Sequence, residues 1–384
     1  MYRWLLAAVF LNVVLLAPAV LAQKWTVQYF YDQDRTELQL TDLAFPSPER
    51  GIAIGTIYER EGGKQKYTAL VTSDGGANWA LVPLKEFPRS IFFLDESNGW
   101  LVTSGGIWHT AEAGRSWTRI SDQIKPNKKL DSPPPGGLIL RVWFLDAQHG
   151  FAAGFQKSVF ETHDGGRTWK PVEEAAKPAS NPAYSLYTHL GFADAKHGLI
   201  VGGYSPPRKD ADADLPDWME PEKAVRRRTV PTLTLEIETR DGGLTWMSST
   251  APLIGSLASL HVSESVGLAV WGFADSFEWP SEVYSLNLIT GRSESVFKEK
   301  DRRVTDAISF PGPRAFLAAV EPSGRLHSSP IPGKVKILTS VNLKDWTEMD
   351  VDYRAVARSL VLAGPDAGHV WAATDTGMIL RLAP

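Results

Sequence analysis

Cysteine is absent from all 384 residues. No disulfide can cross-link the fold, and no lipid can be attached at a processed N-terminal cysteine. A basic excess is missing too: 40 Lys and Arg stand against 44 Asp and Glu, a formal charge of −4. A nucleic-acid-binding chain would carry a basic face and a high isoelectric point, so that class is set aside. Apolar residues at helical spacing are scarce, which argues against an α/β fold. The H-E-x-x-H and G-x-S-x-G signatures, the phosphate-binding loop and the dinucleotide fingerprint do not occur. The expectation is therefore no catalytic residue, no metal and no cofactor. The one long apolar run, Leu5 to Leu16, follows Arg3 and precedes Val20-Leu21-Ala22, the pattern of a signal peptide cleaved before Gln23. Residues 1–22 are thus expected to be removed, leaving an exported periplasmic or secreted chain without a membrane span; an uncleaved single-helix anchor is the alternative.

The full chain is 43% hydrophobic and holds 32 Gly, 26 Pro and 14 Trp, enough apolar material for a large core. One octapeptide recurs. Thr162 to Trp169 reads THDGGRTW, with near-copies at Thr72 to Trp79 (TSDGGANW) and Thr239 to Trp246 (TRDGGLTW), and weaker ones ending at Trp117 and Trp346. An Asp-Gly-Gly centre predicts a tight turn between strands, since Gly accepts positive φ and Asp can fold onto nearby N–H groups. The closing Trp would begin the outgoing strand and bury a large apolar area. Asp74, Asp164 and Asp241, with Trp79, Trp117, Trp169, Trp246 and Trp346, are read as structural fasteners rather than as ligand-binding groups.

A second signal lies upstream: an apolar pair, a Phe or its substitute, then usually Gly six residues on. The landmarks Phe45, Phe93, Phe144, Phe192, Val262, Phe310 and Leu362 are separated by 48, 51, 48, 70, 48 and 52 residues. Seven units of about fifty residues, each a run of short strands, predict an all-β, single seven-bladed β-propeller with four-stranded blades. In the third unit the strands are expected at 140–145, 151–155, 158–162 and 167–172. The seventh unit runs out after three strands, and Lys24-Trp25-Thr26-Val27-Gln28-Tyr29 is an orphan strand beginning with Trp. It is expected to be the fourth strand of blade seven, closing the ring as a monomer spanning 23–384.

The spacing of 70 reflects an insertion at 205–229 in the fourth unit, between its second and third strands. Such loops open on the face opposite the Asp-Gly-Gly turns, together with 125–137, 173–182 and 273–280. Candidates for contact with a protein partner are Arg226, Arg227 and Arg228, three guanidinium groups suited to carboxylates or phosphates, with Lys128, Lys129, Trp218 and Trp279. Six acidic residues in the same insertion could instead pair with its six basic ones. His109, His149, His163 and His197 lack ligand spacing and are read as structural.

The octapeptide resembles the Asp-box, or bacterial-neuraminidase (BNR), repeat of several propeller families. Sialidases share it, yet that class has six blades and an early Phe/Tyr-Arg-Ile-Pro motif, for which Phe87-Pro88-Arg89 is a poor substitute. Asp-box glycoside hydrolases acting on xyloglucan use two propellers in tandem. The combination of apolar-x-Phe, Gly and Asp-box over seven units resembles the photosystem II stability and assembly factor family. That resemblance implies a non-enzymatic factor that holds a reaction-centre subunit precursor through an arginine patch on the propeller. The arginines at 226–228 lie in an insertion, so the patch does not map onto them, and the absent cysteine departs from the lipoprotein members. The reading is an exported scaffold for a protein partner. Its rival is a glycan-acting hydrolase with two facing carboxylates over the channel.

Overall fold

The computed structural model describes residues 23–126, 136–206, 232–253, 255–264, 266–273, 279–300, 302–312, 314–321 and 333–383. Seven antiparallel sheets follow one another along the chain. Blade three is typical, running inner to outer through Ile139–Phe144, Gly150–Gly154, Ser158–Thr162 and Lys170–Pro171. Its outer strand is shorter than the sequence predicts because Arg167 and Thr168 belong to the turn, where both backbone N–H groups donate to Asp164. Blade five lacks an Asp-box and turns instead through Asn287–Gly291, the Gly291 N–H donating to the Asn287 carbonyl at 2.8 Å. Among the described residues the helical elements are two short 3₁₀ turns, Glu173–Ala176 and Pro182–Tyr184, and no helix is long and apolar enough to cross a membrane.

Ring closure follows the predicted route. Lys24–Phe30 pairs antiparallel with Met378–Ala383 from Lys24 opposite Ala383 to Phe30 opposite Met378, supplying the outer strand of blade seven. Asp350–Val351, at the end of blade six, adds a parallel pairing on its other edge. Trp25 is 1% exposed, meets Phe316 edge-on at 6.2 Å and donates its indole N–H to the Met349 sulfur at 3.4 Å. The apolar clusters each span two neighbouring blades, as expected where blades can bury their faces only against each other.

The Phe-to-Gly period has a steric cause. In the first four blades the Phe ring lies flat on the Gly that opens the second strand. A Cβ on Gly51, Gly99, Gly150 or Gly198 would come within 2.3 to 2.6 Å of Phe45, Phe93, Phe144 or Phe192. The Trp of the same blade's turn then meets that Phe at a steep angle: Trp79 on Phe45, Trp117 on Phe93, Trp169 on Phe144 and Trp246 on Phe192, at 5.9 to 6.4 Å. From the preceding blade Trp371 stacks on Phe45 at 3.7 Å and Trp100 on Phe144 at 3.8 Å. Phe45 and Phe144 thus each carry an edge-on Trp from their own blade and a stacked Trp from the preceding one, which packs adjacent blades together.

Candidate functional site

The Asp-box turns cover one end of the ring. The connections from second to third strand, and from each outer strand to the next inner one, cover the other. At the loop-bearing end two cations are built into the frame. Lys157, buried and at φ 56°, donates to the carbonyls of Ala176, Pro178 and Ser180 at 2.8 to 3.0 Å, and burial lowers its pKa. Arg89 donates to the Gly137 and Ile139 carbonyls at 3.2 and 2.5 Å and lies over Phe155. These contacts order the chain at 137–139 and 176–180, while Tyr184 on the same face stays 40% exposed. Trp279 is half-buried, with the Lys298 ammonium 3.6 Å from its ring centroid, so its face is taken up by its own blade. Lys128, Lys129, Trp218, Arg226, Arg227 and Arg228 lie outside the described residues.

A ring of polar side chains inside the channel was not singled out from the sequence. Six inner strands carry a bulge at one register position, followed by Asp42, Ser90, Arg141, His189, Ser259 and Asp306. Asp42, Ser90, Ser259 and Asp306 each reach the next blade. Asp42 accepts from the Ile91 N–H at 3.0 Å and from Leu43 at 3.0 Å. Ser90 donates to the Leu140 carbonyl at 2.9 Å. Asp306 accepts from the N–H groups of Ala307 and Leu362 at 2.9 and 2.6 Å and from the Ser259 hydroxyl. Arg141 of blade three approaches Asp42 of blade one at 3.6 Å, a pairing that skips a blade. The signal in the sequence is a polar residue three positions before the landmark, four in unit six.

Enclosure dominates the electrostatics of this ring. Burial raises the Asp42 pKa against the pull of Arg141 and its N–H donors. Burial pushes Asp306 up to about 6, with the Asp42 charge adding to it. His189 is pushed down to about 3 by burial and then by Arg141, and His261 down to about 4 by burial, so both rings are neutral at pH 7. The Arg141 side chain remains 40% exposed.

At the other end the Asp-box carboxylates are turned onto their own turns. Asp164 accepts from the Thr162 and Thr168 hydroxyls and from the Arg167 and Thr168 N–H groups, with Gly165 and Gly166 at φ 73° and 90°. Four donors hold its carboxyl down at about 2. Asp74 and Asp241 repeat this. Glu112 takes the place of Asp in blade two and Asn342 in blade six. Of the four singled-out histidines, His109 meets Trp100 edge-on and His197 holds Asp194, whereas His149 and His163 converge on Glu161.

No family model matches the chain. Over 176 residues, 41% of the chain, it is 26% identical to the photosystem II assembly lipoprotein Ycf48 of Synechococcus sp. (strain CC9902). That stretch is 45% of the relative, so the match spans less than half of its length. Two solved structures share the fold: Ycf48 from Cyanidioschyzon merolae, at TM-score 0.57 and 13% identity, and Ycf48 bound to a D1 peptide, at TM-score 0.54 and 15% identity. The first covers 94% of this chain and the second 92%, each over 98% of the solved one. The chain is thus a seven-bladed propeller similar in sequence and fold to photosystem II assembly factors.

Proposed function

We propose that the protein is a non-enzymatic, exported scaffold that holds a segment of a protein partner on its loop-bearing face, above the channel mouth. The observation that carries this reading is the commitment of the channel carboxylates. Asp42 and Asp306 each accept from two backbone N–H groups and serve as latches between inner strands. A glycosidase pair needs one carboxyl free to protonate a leaving group and another free to attack or activate water. Each latch holds an N–H on both carboxylate oxygens, one from its own strand and one from the next blade, so recruiting it for either role would loosen the ring, which disfavours the glycan-hydrolase reading.

A rigid ring with non-repeating loops suits binding instead, because little ordering entropy remains to be lost on docking. Arg141, half open beneath that face, offers a guanidinium to an acidic group entering the channel. The similarity to Ycf48, one structure of which carries a D1 peptide, supports an extended protein segment as the ligand class. The arginines at 226–228 are the proposed specificity determinants of the insertion. Replacing all three with Glu is expected to weaken partner capture while leaving thermal stability nearly unchanged; equal capture by the variant removes them from the proposal. Turnover of sialosides or plant glucans by the purified chain would favour the hydrolase instead. Mass spectrometry of the mature protein is expected to find Gln23 at its N-terminus.

A further inference from the structure

The antiparallel register of blade three puts side chains far apart in sequence onto one patch of the Asp-box end. Gly150 pairs with Thr162 and Phe151 with Glu161, so His149 lies beside His163. Glu161 and His163, two apart at a strand end, share a face. The His149 Nε2 is 2.8 Å and the His163 Nε2 3.3 Å from the same carboxylate oxygen of Glu161, and the rings stack at 4.6 Å. One ligand atom from each of the three residues lies within 4.8 Å of the others.

We infer that His149, Glu161 and His163 form a binding site for a divalent transition-metal ion of the zinc class. Two imidazoles and a carboxylate are the donor set that borderline cations favour over magnesium or calcium. Donors about 2.0 Å from a tetrahedral ion stand about 3.3 Å apart, so the His149 Nε2 must move out from Glu161 and the stacked rings must turn to aim both lone pairs at one ion. The backbone is already fixed. The His149 N–H donates to Asp146 at 2.7 Å, and His163 is held between Thr162 and Asp164, whose hydroxyl and carboxylate bond each other at 2.8 Å. His163 is 62% exposed, so the ion can enter from solvent, and the fourth position falls to water or to a group of a docked protein. Among the described residues these two histidines are the ion-pair partners of Glu161, so no lysine or arginine has to be displaced. Binding requires both rings as the Nδ1–H tautomer, with the Nε2 lone pairs turned to the ion. The inference is independent of the partner-binding reading, since it concerns the opposite face.

Equilibrium dialysis of the tag-free chain against Zn²⁺ tests it, with Glu161→Gln, His163→Ala and the control His197→Ala beside the wild type. The expected result is one ion per chain for wild type and control, affinity lower by at least about tenfold in the other two, and a Zn²⁺-dependent rise in melting temperature confined to the binders. All four chains should melt alike without metal, apart from the small change from losing a surface ion pair. Substoichiometric uptake, or uptake that Glu161→Gln and His163→Ala leave unchanged, overturns the assignment and leaves Glu161 as a hydrogen-bonded partner of two histidines.

Discussion

Trp25 should be the pin that holds the ring shut. It belongs to the N-terminal strand, is 1% exposed, and packs in a cluster that joins Phe316 and Ile337 of blade six to Leu360 and Leu382 of blade seven. Truncating a buried Trp to Ala costs about 3–5 kcal/mol, the lost transfer energy plus the cavity left behind. At about 2.1 cal/mol/K per residue, roughly 360 residues melting together give an unfolding entropy near 0.76 kcal/mol/K. Trp25→Ala should then lower the melting temperature by about 4–7 °C, read by differential scanning calorimetry at pH 7. Deleting residues 24 to 31 removes the pairing with Met378–Ala383 as well, and should abolish the single transition or lower it well beyond the point variant. Trp25→Phe, which retains most of the buried area, should fall between Trp25→Ala and wild type. A Trp25→Ala protein melting within a degree of wild type would show that the buried indole does not pin the ring.

The Phe-on-Gly contact predicts non-additivity: Gly150→Ala should cost about 1–3 kcal/mol in the wild type but far less in a Phe144→Ala background, and additive effects in a double-mutant cycle would show that the 2.5 Å approach is not the cause. Asp164→Ala should cost about 1–2 kcal/mol, as loss of a local cap does, and leave partner binding intact, which parallel melting and binding titrations would check. Asp306 gives a pH signature. Its folded pKa of about 6 lies above the unfolded value, so between about pH 4 and 6 the native state binds more protons and stability falls as pH rises. Asp306→Asn should lose that slope while dropping in overall stability, since an amide nitrogen cannot accept the Leu362 N–H; a variant keeping the slope would reassign the titration.

Repetition made the fold legible. Each Phe-to-Gly interval and each Asp-box recurs because every blade solves the same packing problem, so a sequence period becomes a count of blades. Even the split seventh blade could be read, because Trp25 copies the position of the outer-strand tryptophans. The channel ring is not legible in the sequence because its members differ chemically. Asp42, Ser90, Arg141, His189, Ser259 and Asp306 share a bulge register, not a residue type. His149 and His163 have no ligand spacing along the chain; strand pairing brings them onto Glu161 across it. The loop candidates carry a signal of residue type alone, with no repeat to place them. Trp279, the one within the described residues, is half-buried and occupied by Lys298.

Photo-cross-linking from the two ends of the ring tests the scaffold proposal most directly. A photoreactive phenylalanine would replace either Tyr184 on the loop-bearing face, 40% exposed, or Leu244 in the blade-four Asp-box turn, 87% exposed. If exposure alone governed capture, Leu244 would cross-link more. Docking on the loop-bearing face predicts the reverse: a discrete adduct to one partner protein from position 184 in the native host, identified by mass spectrometry, and none from position 244. Equal adducts from both positions, or an adduct from position 244 alone, would contradict it.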